Sequence, residues 1–102
     1  MTNQTVKTPA RSLNIEAREW YDRQNGNSYF SARIWVDGEI VHTLPFQYGY
    51  GDYFQQRATE WLTENDYLDG REPHEHMSTF AARLGFDFYT SKTDALKREM
   101  FK

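Results

Sequence analysis

Hydrophobic and polar residues alternate near the start of the chain. Leu13, Ile15 and Ala17 are separated by polar neighbours, and the stretch continues to residue 21. A period of two places the apolar side chains on one face of a half-buried strand. The pair Asn25-Gly26 follows, and it tolerates the positive backbone angles of a tight reversal. The pattern predicts a first strand that turns back into a second.

The pair Asp37-Gly38 lies between two stretches rich in aromatic and β-branched residues, at positions 28–36 and 39–46. Such a pair is typical of a two-residue type I′ hairpin turn. That turn would pair Val36 with Glu39, Ile34 with Val41 and Ala32 with Thr43. Pro45 cannot donate a ladder hydrogen bond, so the third strand is expected to end there or to lie at an edge.

This register fixes which side chains share a face of the second hairpin. One face is expected to hold Phe30, Ala32, Ile34, Val36 and Val41. The opposite face is expected to hold Tyr29, Arg33, Trp35, Ile40, His42, Leu44 and Phe46. The opposite face is too apolar to stay fully in contact with water, so either a helix or a partner should cover it.

Helical spacing begins after residue 52. Apolar residues recur on one helical face: Phe54, Ala58, Trp61 and Leu62. Asp52, with Gln55 three residues later, resembles a capping box at a helix start. A helix is therefore predicted over residues 53–65, with its Trp61 stripe packed on the sheet.

Three shorter elements are predicted in the last third of the chain. Pro73 suits the first turn of a second helix, and Gly85 is a natural C-terminal cap for it. Residues 86–89 alternate like a strand, and a preceding hydroxyl side chain can cap a last short helix over residues 92–101.

The predicted fold class is α+β, with a three-stranded antiparallel sheet of two hairpins followed by helices, a short extra strand and a C-terminal helix. Residues 1–11 are polar and are expected to form a disordered tail. Residues 12–102 are expected to form a single domain, because a chain of 102 residues normally builds one core. Aromatic residues make up 17% of the chain, so rings should dominate that core.

Composition excludes several classes of chemistry. The chain has no cysteine, which rules out disulfides, zinc thiolates and thiol nucleophiles and fits a reducing cytoplasm. Its formal charge of −3 weakens the case for broad nucleic-acid binding, which depends on cationic contacts to phosphates. No apolar stretch matches a signal peptide or a membrane span.

Candidate catalytic motifs are incomplete. The loop Tyr48-Gly49-Tyr50-Gly51-Asp52 contains G-x-G but lacks the Lys and Ser/Thr of a phosphate loop, so a turn and helix cap is the simpler interpretation. His74 and His76 would not share a helical face, and their spacing matches no zinc signature. No serine lies in a nucleophile-elbow pattern. We predict neither enzymatic activity nor a bound cofactor or metal.

Partner contact is the better-supported use of the remaining polar and aromatic residues. Tyrosines on a loop are rigid amphipathic anchors, the sheet carries an aromatic face, and acidic residues concentrate between residues 60 and 75. The predicted contact residues are Tyr29, Arg33, Trp35, Tyr48, Tyr50, Tyr53, Glu60, Glu64, Asp69 and Glu72. The acidic positions would suit a cationic groove of a nucleic-acid-handling protein.

The segment from Pro45 to Asp52, together with the Asn-Gly-Asn and Asp-Gly turns, resembles a group of small proteins encoded by bacteriophages and related mobile elements. The resemblance covers residues 13–98 and carries over no catalytic residue. It implies an accessory protein of the bacterial host's cytoplasm, a category that includes inhibitors of host defence such as anti-CRISPR proteins.

We therefore expect stoichiometric binding to a host protein, with inhibition of a defence system such as CRISPR-Cas as one form of it. A nucleic-acid-binding factor that stacks bases on Tyr29, Arg33 and Trp35 is the first alternative. A small hydrolase or nucleotide-binding protein, based on the glycine-tyrosine loop alone, is the second. The sequence also allows a homodimer, and it predicts no membrane association.

Overall fold

The computed structural model describes residues 12–101, so the predicted tail over residues 1–11 lies outside the described residues. Its strands are β1 (Ser12–Asp22), β2 (Asn27–Val36), β3 (Glu39–Tyr48) and β4 (Asp87–Asp94). Its α-helices are α1 (Tyr53–Glu64) and α2 (Met77–Leu84), and a short 3-10 helix spans Lys97–Glu99. The predicted α+β class is confirmed.

The four strands form one mixed sheet in the order β3-β2-β1-β4. The first three strands are antiparallel neighbours, as predicted, but β4 pairs with β1 in parallel. The three-stranded sheet is therefore only part of the observed one. A parallel neighbour needs a long crossover, and α1 and α2 supply it between β3 and β4. Because β3 lies at an edge, Pro45 within it interrupts no central ladder.

The second hairpin keeps its predicted turn but not its predicted register. Asp37 and Gly38 both have positive φ, at 51° and 84°, as a type I′ turn requires. Val36 pairs with Glu39 as expected, but Ile34 then pairs with His42, because the register shifts next to Val41. The extra residue in β3 is a β-bulge, which moves the side chains after it by one position until a second register shift opposite Phe30 and Ala32.

This bulge places His42 and Leu44 on the face that the helices cover, and the prediction for these two residues was wrong. His42 stacks on Trp61 of α1, with ring centroids 4.4 Å apart and planes 7° from parallel. Leu44 is buried in the core. Trp61 is only half-buried, because it lies at the border of the core between His42 and Tyr67.

The core lies between one face of the sheet and the two helices. Its sheet side chains are Leu13, Ile15, Ala17, Phe30, Ala32, Ile34, Val36 and Leu44. Its buried helix side chains are Phe54, Ala58 and Leu62 from α1 and Met77, Phe80 and Ala81 from α2. Gly85 ends α2 in the left-handed conformation with φ 80°, as predicted. α2 begins four residues after Pro73, because residues 70–76 form a separate loop.

The predicted helix over residues 92–101 is wrong. β4 continues to Asp94, and residues 95–101, here called the C-terminal segment, cross the sheet face opposite the helices. Met100 and Phe101 are buried there. The Ser31 hydroxyl donates to Met100 Sδ at 3.3 Å and accepts the Phe101 N–H at 2.8 Å. The chain itself therefore covers part of the face for which the sequence required a helix or a partner.

Candidate functional site

Three exposed tyrosines surround one pocket at the junction of β3 and α1. The pocket holds about 520 Å³ and is lined by Tyr48, Gly49, Tyr50, Asp52, Tyr53 and Gln56; we call it the tyrosine pocket. Tyr48, Tyr50 and Tyr53 are 57%, 68% and 41% exposed. Their rings are large apolar surfaces in contact with water, held by a loop at the end of a strand and the start of a helix.

Backbone hydrogen bonds fix the loop that carries these rings. The Gly49 N–H donates to the Ser28 carbonyl at 3.1 Å, and the Tyr53 N–H donates to the Tyr50 carbonyl at 3.2 Å. The ammonium of Lys92 on β4 donates to the Gly51 carbonyl at 3.2 Å and pairs with a carboxylate of β1. The loop that carries the tyrosines is thus hydrogen-bonded to β2 and, through Lys92, to β4.

Gly49 allows the close packing behind the pocket. A Cβ at this position would lie 2.6 Å from Cδ2 of Tyr53 and 2.7 Å from Cε1 of Phe30. The Tyr53 ring meets the buried Phe30 ring edge to face, with centroids 6.1 Å apart. Because only hydrogen fits at Gly49, the Tyr53 ring can lie against the core and still form one wall of the pocket.

Asp52 precedes α1 but does not cap it through its side chain. The Asp52 carbonyl accepts the N–H groups of Gln55 and Gln56, while its carboxylate makes no capping hydrogen bond. The predicted capping box is therefore wrong. Asp52 is one of the residues that line the tyrosine pocket, and it lies at the positive end of the α1 helix dipole.

An Asp52→Ala variant, which removes every side-chain acceptor at this position, tests this geometry. A lost side-chain cap costs about 1 kcal/mol, whereas a surface substitution with no cap stays within about 0.5 kcal/mol. We expect the second result in urea denaturation, since no capping bond is present to lose. A loss of about 1 kcal/mol or more would show that the carboxylate caps the helix in solution.

An acidic groove adjoins the tyrosine pocket along α1, and the two share Asp52 and Gln56. The groove holds about 770 Å³ and runs between α1 and residues 71–77, which comprise the end of the loop before α2 and the first residue of α2. Glu60 and Glu64 line it. Arg57 pairs with Glu60 at 2.8 Å, but both side chains are about half exposed, so water screens this pair.

The far wall of the groove is fixed by Glu75 and Arg83. Two of the three guanidinium nitrogens of Arg83, Nε and Nη2, donate to the two carboxylate oxygens of Glu75 at 3.0 and 2.8 Å. Arg83 also donates to the Gly70 carbonyl at 2.7 Å, and the Glu72 N–H donates to the Glu75 carboxylate at 3.0 Å. These bonds, led by those from Arg83, lower the pKa of Glu75 to about 2.

The Glu75 site should make stability depend on acid. A carboxylate whose pKa is lower in the folded than in the unfolded chain stabilises the fold above the unfolded pKa, and the effect is lost as pH falls through the folded value. Between about pH 4.5 and about pH 2, the melting temperature should therefore fall more steeply in the wild type than in Glu75→Gln. Glu60→Gln is the control and should keep the wild-type slope. Equal slopes in all three proteins would contradict the assignment.

The other predicted contact residues on the sheet lie on its opposite face, where the Tyr29 ring meets the ring of Tyr48 edge to face at 5.8 Å. Tyr29 stacks on Phe46 at 5.1 Å, the guanidinium of Arg33 lies 4.2 Å from the Phe101 ring centroid, and Trp35 donates to Glu16 at 3.2 Å. The contacts of Tyr29 and Arg33 use a ring face and the cation that base stacking would need, whereas Trp35 uses only its ring N–H. Two of the three residues of the nucleic-acid alternative therefore already have contacts within the chain.

The structure thus divides the predicted contact residues into three groups. Tyr48, Tyr50, Tyr53, Glu60 and Glu64 line the pocket and the groove. Tyr29, Arg33 and Trp35 lie on the other sheet face. Asp69 and Glu72 are exposed in the loop between the helices and line neither cavity. Three residues that line the tyrosine pocket were not among the predicted contact residues: Gly49, Asp52 and Gln56. Positions 53 and 56 are one helical turn apart and so share a face, which could have pointed to Gln56.

Within residues 12–101, no three His, Cys, Asp or Glu side chains come together in a way that could hold a metal ion. Neither helix in the described part of the chain has the length and apolar character needed to cross a bilayer. His74 lies in the loop before α2, with a positive φ of 67°.

Comparisons with protein-family models, curated proteins and solved structures find no match to this chain.

Proposed function

We propose that this protein acts by stoichiometric binding to another protein, through the surface formed by the tyrosine pocket and the acidic groove. The observation that carries the proposal is their continuity. Three exposed tyrosines and the carboxylates of Asp52, Glu60 and Glu64 border two cavities that share residues along one helix. A partner segment could contact both cavities at once.

The chemistry of this surface suits a basic partner. Tyrosine gives a large contact area with few rotatable bonds, and such residues often dominate binding energy at interfaces. Arg57 pairs with Glu60 and Arg83 pairs with Glu75, so the carboxylates of Asp52 and Glu64 remain against Arg71 and leave the groove with a small net negative charge. An anionic surface of this kind attracts a cationic one and suppresses acidic competitors.

This chemistry connects to the setting that the sequence resemblance implies. Proteins that handle nucleic acids carry cationic grooves for phosphates, and these grooves are the natural targets of an anionic surface. We therefore propose a phage-encoded accessory protein of the bacterial cytoplasm that blocks such a groove, with a defence complex such as CRISPR-Cas as the leading partner class.

The test is affinity capture from bacterial lysate with the tagged protein, with and without nuclease. We expect a discrete host protein that resists nuclease and is lost from the double variant Tyr50→Ala/Glu64→Lys. Tyr89→Ala is the matched control, because Tyr89 is 59% exposed but lies on β4, outside the proposed surface. Capture that disappears with nuclease, or that survives the double variant, would refute the proposal.

A further inference from the structure

We infer that the tyrosine pocket receives an arginine side chain of the partner. This inference rests on the proposed function and identifies the group that the pocket recognises. The pocket combines three phenol rings with the carboxylate of Asp52. Aromatic faces attract cations, and a carboxylate beside them can pair with the same cation.

The availability of Asp52 is the first step of the argument. A carboxylate at this position normally bonds to the N–H groups of the first helical turn, but here it does not. Among the described residues it has neither a hydrogen bond nor an ion pair, and it lines the pocket with Tyr50 and Tyr53. An anionic group directed to this pocket would be repelled by it, and a neutral group would leave it without a counter-charge.

The preference for arginine over lysine follows from shape. A guanidinium is planar, stacks on aromatic rings and presents a fork of donors that matches a carboxylate. Guanidinium groups of this chain do lie over rings: the guanidinium carbons of Arg18 and Arg33 are 4.3 and 4.2 Å from the Phe101 centroid, and that of Arg83 is 5.6 Å from the Phe80 centroid.

The acidic groove indicates which way the partner's chain runs from the arginine in the pocket. Gln56 and Asp52 border both cavities, so a chain whose arginine enters the pocket can continue along α1 past Glu60 and Glu64. The partner segment should therefore carry further basic residues on one side of the arginine. The pocket volume of about 520 Å³ also leaves room for the backbone that flanks the side chain.

The experiment uses N-acetyl-arginine amide as the probe, with amide NMR shifts of the full-length protein as the readout. N-acetyl-citrulline amide is the neutral control of nearly the same shape. With the arginine probe, we expect saturable shifts of the amide signals of Gly49, Gly51 and Tyr53. The affinity for the citrulline probe should be lower by a factor of about ten. Asp52→Asn and Tyr50→Ala should each weaken arginine binding by a similar factor, while Tyr89→Ala should not change it.

Three results would overturn the inference: no saturable shift, equal binding of citrulline, or equal binding of N-acetyl-lysine amide. Capture of the host partner separates this failure from failure of the proposed function. If Asp52→Asn still captures the partner and Tyr50→Ala/Glu64→Lys does not, the surface binds a protein but the pocket does not recognise an arginine side chain. If both variants retain the partner, the proposed function fails as well.

Discussion

Replacing Phe101 with alanine should lower the free energy of unfolding by about 3–5 kcal/mol, the usual cost of removing a fully buried ring. The ring is 4% exposed although it lies close to the end of the chain. The guanidinium groups of Arg18 and Arg33 both contact the ring, and the backbone N–H of Phe101 donates to the buried hydroxyl of Ser31. Loss of the ring would expose two arginines and open a cavity over the sheet.

Urea denaturation followed by circular dichroism measures this loss as a lower midpoint with an unchanged slope. Leu96→Ala is the control, since Leu96 belongs to the same segment but is 47% exposed; its effect should stay within about 0.5 kcal/mol. A Phe101→Ala midpoint equal to that of the wild type would mean that the C-terminal segment does not pack on the sheet in solution.

The misprediction of this segment shows where local reasoning fails. The stretch Ala95-Leu96-Lys97-Arg98-Glu99 consists of good helix formers, so propensity alone favours a helix. Short helices gain most of their stability from packing, and this one would have buried few apolar side chains. The extended path instead buries Met100 and Phe101 against Ser31, about 70 residues away in the chain. Contacts at that separation leave no local signal.

Local turn chemistry, in contrast, could be predicted well. The Asp37-Gly38 turn, the C-terminal cap at Gly85 and the bounds of α1 to within one residue all depend on neighbours in the sequence. The β-bulge beside Val41 does not, because Ile40 and Val41 are both apolar and either could face the core. One inserted residue was enough to assign His42 and Leu44 to the wrong face.

The candidate site was predictable only where its residues are close together in the sequence. The three tyrosines stand out in the sequence because large rings cluster around two glycines, and the structure places them around one pocket. Asp52 matched the pattern of a helix cap, so nothing in the sequence indicated that it would line a pocket. The groove also depends on tertiary structure, since its far wall comes from residues that follow α1.

Gly49→Ala should have the second largest effect on stability, about 1–3 kcal/mol, because it adds a methyl group where no space exists. The new Cβ would lie 2.6 Å from Cδ2 of Tyr53 and 2.7 Å from Cε1 of Phe30. Phe30 is 2% exposed and is held by the core, whereas Tyr53 is 41% exposed and can rotate outward. We therefore expect the substitution to displace Tyr53 and to weaken binding of the arginine probe.

A double-mutant cycle with Tyr53→Ala separates the two clashes. Removing the Tyr53 ring relieves one of them, so Gly49→Ala should cost less in the Tyr53→Ala background, with a coupling of about 0.5–3 kcal/mol in urea denaturation. The contact with Phe30 remains in both backgrounds, so some cost should persist. Equal costs in the two backgrounds would mean that the Tyr53 ring contributes nothing to the cost of the new methyl group, which would contradict the predicted clash between them.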